Sequence, residues 1–205
     1  MKEIVKNTLI LTMITLISGL CLGVVYQVTK EPIAASVEKT KNAAYQAVMK
    51  DASAFEEMDI PEDYAKPELE DAGLTEDDIT GLIYAKNTAG EGIGYIVTVQ
   101  SHEGYGGNID VTVGVLFDGT VSGVEITSIS ETAGLGMRAN TDEFKSQFAG
   151  KNTDKFVYSK SGATADNEID ALSGATITTN AMTNAVNAAL IGANNAERGD
   201  IPDAE

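Results

Sequence analysis

The chain has 205 residues, with 31 Asp and Glu against 14 Lys and Arg, one His, one Cys and a formal net charge of −17. A surface so acidic repels phosphate backbones and anionic headgroups, which excludes nucleic acid as a partner. A lone cysteine closes no intrachain disulfide, and with one histidine it builds no clustered metal site.

Residues 9–28 read LILTMITLISGLCLGVVYQV, without a charge. About 20 helical residues span about 30 Å, one hydrocarbon thickness. The run is longer than the apolar core of a cleaved signal peptide. It leaves through Tyr26-Gln27-Val28-Thr29-Lys30, with no small-x-small exit. This predicts an uncleaved transmembrane helix after a short N-terminal tail, residues 1–8. Lys2 and Lys6 precede the span while Lys30, Lys39 and Lys41 follow it, so the charge rule leaves its orientation unset. Cys21 follows Leu20, where a lipid-modified cysteine needs a small residue, and reads as an apolar filler. All but one of the acidic residues lie after position 30, an arrangement that favours solubility and enriches cations.

Residues 31–50 carry Ile33, Val37, Ala44 and Val48 at helical spacing and read as a linker helix. Residues 51–79 hold Pro61, Pro67 and many acids, and read as irregular surface, so residues 29–79 form a linker. Strand signals follow at 81–86, 94–99, 109–117 and 121–129. Asp118-Gly119 between two apolar runs marks a tight hairpin. A short helix is predicted over 142–148, capped by Thr141 and stopped at Gly150. The last helix runs from 177 to about 194, with Met182, Val186 and Leu190 as its core-facing stripe. The tail 197–205 is polar and reads as frayed. The pattern is α+β: an N-terminal transmembrane helix, then one domain over 80–196 with a largely antiparallel sheet and flanking helices.

The chemistry concentrates in Asp170-Ala171-Leu172-Ser173-Gly174-Ala175-Thr176, which runs into the last helix. A threonine hydroxyl there sits where free backbone N–H groups and the helix dipole favour a phosphate. The N–H groups of Ile177, Thr178 and Thr179 and the Thr179 hydroxyl are the expected holders. Gly174 and Ala175 permit close approach, and Arg138 is the charged candidate. A second copy, Ser161-Gly162-Ala163-Thr164, has Tyr158 in the place of Asp170 and Ala165-Asp166-Asn167 in the place of the apolar helix. Four small residues alone make only a loop. No base is paired to the threonine and no acid–base dyad is visible, so no catalytic residue is assigned.

The heptad D-x-x-S-G-A-T resembles the flavinylation signature of the FMN-binding subunits of membrane redox pumps. Glu131-Thr132-Ala133-Gly134-Leu135-Gly136 resembles their E-T-P-G-L-G loop, which faces the flavin. Gly104-Tyr105-Gly106-Gly107 ahead of Ile109-Asp110-Val111-Thr112 resembles their G-Y-x-G segment. The likeness covers about Gly92 to Leu190, and with the anchor the chain resembles the G subunits of Rnf electron-transport complexes. The related C subunit of the sodium-pumping NADH:quinone reductase, which tends to be longer, is the runner-up.

The resemblance implies an FMN-binding domain with FMN joined to Thr176 through a phosphoester. A separate flavin transferase would make the bond from FAD with magnesium, Asp170 serving recognition or metal-assisted transfer and Ser173 completing the signal. Glu131, Thr132, Gly134 and Leu135 would lie against the isoalloxazine. It further implies an electron relay in an ion-translocating ferredoxin:NAD oxidoreductase complex, with other subunits as partners and the flavin domain outside the cytoplasmic membrane. Alternatives are a free-standing anchored surface flavoprotein reductase and an anchored module without redox function. Ala133 replaces the family's proline and removes one fixed φ. Ser130 stands near a usual histidine, and the chain's only histidine is His102, so the resemblance carries over no proton role for a histidine beside the flavin.

Overall fold

The computed structural model describes residues 1–199, in two units: Met1–Asn42 and the chain from Ala43 onward. Helix α1 runs Lys2–Val48, and the first unit is helix from Lys2 onward. Residues 9–28 are all exposed, and the helix is long and apolar enough to cross a membrane. Its polar side chains turn inward on the backbone. Thr8 donates to the Ile4 carbonyl, Thr12 to Thr8 and Thr29 to Val25, each at 2.9 Å. Such bonds satisfy hydroxyls where no water is at hand. The linker helix predicted from residue 31 is no separate element. Pro32 lies inside α1, where it removes one backbone bond without ending the helix.

The second unit is built on a five-stranded antiparallel meander in the order β1 (Ala54–Met58), β2 (Asp77–Lys86), β3 (Gly92–Ser101), β4 (Ile109–Leu116) and β5 (Val121–Ser128). Asp118-Gly119 makes the β4–β5 hairpin as expected. Gly119 has φ +84°, and Asp118 Oδ1 accepts the Thr120 N–H at 2.9 Å. The segment 51–79 departs from its irregular reading. It contains β1 and a short helix α2 (Lys66–Asp71), and β2 begins four residues before the predicted Gly81. The acids hid them: β1 is an edge strand that keeps Glu56 and Glu57 outward, as edge strands tend to do.

Beyond the sheet come a 3-10 turn (Gly136–Asn140), helix α3 (Asp142–Lys145), a parallel pair β6 (Val157–Ser159) and β7 (Glu168–Asp170), and helix α4 (Thr176–Arg198). Thr141 caps α3 as expected, accepting from the Phe144 N–H at 3.4 Å. The α3 helix is shorter than predicted, because residues 146–150 continue as turns.

Helix α4 covers one sheet face. Met182, Val186 and Leu190 are buried, but so are Ala181, Ala185, Ala188, Ala189 and Ala193. The expected stripe is therefore too narrow: alanines let the sheet approach on one side while β6 and its loop cover another. Asn187 serves that second contact, accepting the Phe156 N–H at 2.8 Å and donating to the Phe156 carbonyl at 3.0 Å. The opposite sheet face packs Ile83, Ala85 and Ile96 against Tyr45, Val48, Met49 and Ala52. Residues 200–205 of the predicted tail lie outside the described residues, while Glu197 and Arg198 belong to α4.

Candidate functional site

Three stretches far apart in sequence meet at the N-terminus of α4. Gly174 is left-handed, φ +78°, and a Cβ there would fall 3.1 Å from Leu135 Cδ2. A Cβ on Gly136 would fall 2.7 Å from both Thr178 Oγ1 and Glu131 Oε2. A Cβ on Gly106 would collide with the Ser130 carbonyl, and Glu131 Oε1 accepts the Tyr105 N–H at 2.8 Å. The loops 104–107, 131–136 and 173–178 thus form one surface, closed up by glycines where a side chain would hold the backbones apart.

Thr176 opens a 23-residue helix and is half-buried. Among the described residues, its hydroxyl and the N–H groups of Thr176, Ile177 and Thr178 have no hydrogen-bond partner. Free amides at a helix start hold an anion. The expected set shifts by one residue. The Thr179 N–H donates to the Ala175 carbonyl at 2.9 Å. Its hydroxyl, fully buried, donates to the same carbonyl and accepts from the Leu172 N–H at 3.1 Å. Thr179 fastens the turn before the helix and offers nothing outward. The helix begins at Thr176 because Ala175, φ −135°, is its N-cap, and that frees the Thr176 amide in exchange.

Around these donors the surface is apolar. Tyr105 is 72% exposed, Ile177 52% and Leu135 44%, large exposures for residues of their type in a folded body. Thr132 shapes the loop through its carbonyl, which accepts the Leu135 and Met137 N–H groups. Gly134 follows in that loop, and Ser173 is exposed in the neighbouring one. Arg138 is exposed, with no ion pair among the described residues. Lys145 is committed elsewhere, to both Glu125 oxygens at 2.8 and 2.9 Å and to Asp142 at 3.5 Å. Lys151 donates to the Glu168 carbonyl. Backbone amides are thus the principal donors available for a phosphate.

Asp170 is exposed yet held on three sides. Its N–H donates to Gln147 Oε1 at 2.6 Å, its carbonyl accepts a long bond from Gln147 Nε2, and its Oδ1 accepts the Ala163 N–H at 2.5 Å. Gln147 carried no sequence signal. Nor did Glu103, whose Oε2 accepts from Asn180 at 3.3 Å and Asn184 at 2.6 Å and ties the β3–β4 loop to the first turns of α4. His102 lies at the end of β3 against Asp78, 3.0 Å away, and that hydrogen bond holds its pKa above the usual value.

An amide-lined helix start with a free hydroxyl, beside an apolar loop surface, fits a phosphate joined to a flat aromatic body. Residues 104–191 match the FMN-binding domain family, and residues 1–48 match the RnfG N-terminal region. The fold also resembles the C subunit of the Na+-translocating NADH-quinone reductase from Parabacteroides distasonis. The TM-score is 0.53 at 17% identity, covering 77% of this chain and 92% of that one. The second unit therefore contains an FMN-binding domain.

The chain is 32% identical over 148 residues to the G subunit of the proton-translocating ferredoxin:NAD+ oxidoreductase complex of Clostridium ljungdahlii, covering 72% of this chain and 68% of that one. It is 30% identical over 150 residues to the G subunit of the Na+-translocating complex of Acetobacterium woodii, covering 73% and 71%. It belongs to the RnfG family, the G subunits of Rnf complexes.

Proposed function

We propose that this chain is an electron-relay subunit of a membrane-bound, ion-translocating ferredoxin:NAD oxidoreductase, carrying FMN as a phosphoester on Thr176. The free Thr176 hydroxyl, set among three unpaired amides at the start of α4, carries this reading. When bound, FMN supplies an isoalloxazine that accepts one or two electrons.

The chain's own residues bind and orient. The N–H groups of Thr176, Ile177 and Thr178 hold the phosphate, with Arg138, just past the 131–136 loop, the cation of the loop cluster. Leu135 and Ile177 offer apolar contact to the ring, and Gly174 lets the loops close. Glu131 is spent on the Tyr105 amide, so it shapes the loop while keeping its charge from pointing freely at the ring. No base is hydrogen-bonded to Thr176 among the described residues. A separate flavin transferase would make the phosphoester, taking FMN from FAD and releasing AMP and a proton, with Asp170 in the signal it reads. Residues 9–28 anchor the chain in the membrane with the flavin domain on the extracytoplasmic side, beside other subunits of the complex.

Expression with the transferase, followed by denaturing electrophoresis, tests the attachment. The wild-type band fluoresces, Thr176→Ala is dark, and Thr164→Ala stays bright. A bright Thr176→Ala band would overturn the assignment.

A further inference from the structure

The upstream copy, Ser161 to Thr164, has no role in the reading above, yet it is held firmly for an exposed loop. Glu168 Oε2 accepts from the Thr164 N–H at 2.7 Å, the Thr164 hydroxyl at 3.0 Å and the Ala165 N–H at 3.2 Å. Those three donors also hold the Glu168 carboxyl below its ordinary pKa, chiefly through the Thr164 amide. Ser159 Oγ donates to the Gly162 carbonyl at 2.9 Å, and the Ser159 carbonyl accepts the Ala171 N–H at 2.8 Å. The loop is thereby pinned across β6 and β7, and its Ala163 amide points at Asp170 Oδ1. From the other side, Gln147 grips the Asp170 backbone through its N–H and its carbonyl.

The copy cannot take a flavin phosphate in this state, because its hydroxyl and amides already hold a carboxylate that would repel one. Its effect falls on Asp170 instead. An exposed aspartate ordinarily samples several rotamers, and a partner reading it must fix one. Here the backbone and one carboxylate oxygen are fixed beforehand, in the same heptad as Thr176.

We propose that the upstream Ser-Gly-Ala-Thr copy and Gln147 form a brace that presents Asp170 to the flavin transferase, Gln147 being a positioning residue for attachment at Thr176. The proposal rests on the covalent reading, and it makes the second copy a part of the signal. Asp170 Oδ2 remains outward for the transferase or its magnesium ion, while Oδ1 keeps the side chain in place.

The test uses the full-length chain in detergent with purified transferase, FAD and Mg2+, following flavin gain by intact mass at varied acceptor concentration. Gln147→Leu and Glu168→Ala each raise the KM for the acceptor chain roughly tenfold, the loss of about one held hydrogen bond. Both keep kcat and the final stoichiometry of the wild type. Gln147→Glu, which retains the oxygen facing the Asp170 N–H, recovers most of the loss. Thr164→Ala, which retains the Ala163 and Thr164 amides, behaves as wild type.

An unchanged KM in Gln147→Leu, or a loss confined to kcat, would overturn the brace. Hydrogen exchange on the same chain without transferase gives a flavin-free answer. The peptide containing Ala163 and Asp170 exchanges faster in Gln147→Leu, and equal protection would overturn the proposal. A wild-type chain that takes no flavin would sink the covalent reading instead, with hydrogen exchange still deciding the brace.

Discussion

Asp77, at the start of β2, is 3% exposed, and among the described residues neither carboxylate oxygen has a hydrogen-bond partner. Burial pushes its pKa up from 3.8 to about 7; the Ser101 hydroxyl and His102 pull it down, while Glu103 and Asp78 add to the rise. Between those two values the folded chain keeps a proton that the unfolded chain has released, so stability falls as pH rises through that window. Asp77→Asn removes the titration. Its stability should fall less than that of the wild type from about pH 4 to about pH 8, the remaining decline including that of His102, and exceed the wild type at the upper end by on the order of 4 kcal/mol. Urea unfolding at several pH values measures this, and parallel curves for the two proteins would refute it. Asp77 carried no signal because burial decides its behaviour, and sequence shows a surface acid next to Asp78. That Thr176 stands at a helix start was legible for the opposite reason: its place is set locally, by a left-handed glycine two residues before it.

At the scale of elements, legibility followed the same division. The hairpin at Asp118-Gly119, the cap at Thr141 and the membrane-length stretch are local devices, and all three stand where the sequence placed them. The first strand and α2 are tertiary: acids cover their exposed faces, and only pairing with β2 and packing beneath α4 define them. The docking of the α1 end was equally hidden. Gly114 and Gly123 sit side by side in β4 and β5, where the backbone of Val48 comes down on the sheet. A Cβ at Gly123 would lie 2.9 Å from Val48 Cα and 3.0 Å from its carbonyl, and the Ser122 hydroxyl donates to that carbonyl at 2.6 Å. Backbone cannot yield as a flexible side chain does. Gly123→Val should therefore destabilise the domain by about 1–3 kcal/mol. Ser122→Ala, which loses one hydrogen bond, should cost about 1 kcal/mol. Thermal unfolding of the two variants measures both, and a Gly123→Val midpoint equal to wild type would show that Val48 is not seated there.

Over the whole molecule, charge and apolarity are separated along the chain: one unbroken apolar stretch near the N-terminus, and nearly all the acids after it. An acidic body gains nothing from an anionic membrane surface, so its attachment rests on the apolar helix, with its threonines already turned onto the backbone. Lysines on both sides leave the direction unset by charge. On the proposed reading the flavin domain lies outside the cytoplasm, and three measurements, two of them on intact spheroplasts, test that together with retention of the anchor. Protease added from outside should remove the domain, and the untreated chain should keep the 21.5 kDa mass of the whole sequence, apart from bound flavin. Cys21, the only thiol, should resist a membrane-impermeant maleimide until detergent is added. A protected domain would reverse the orientation, and a chain shortened by about its first thirty residues, the length of a leader, would turn the anchor into one.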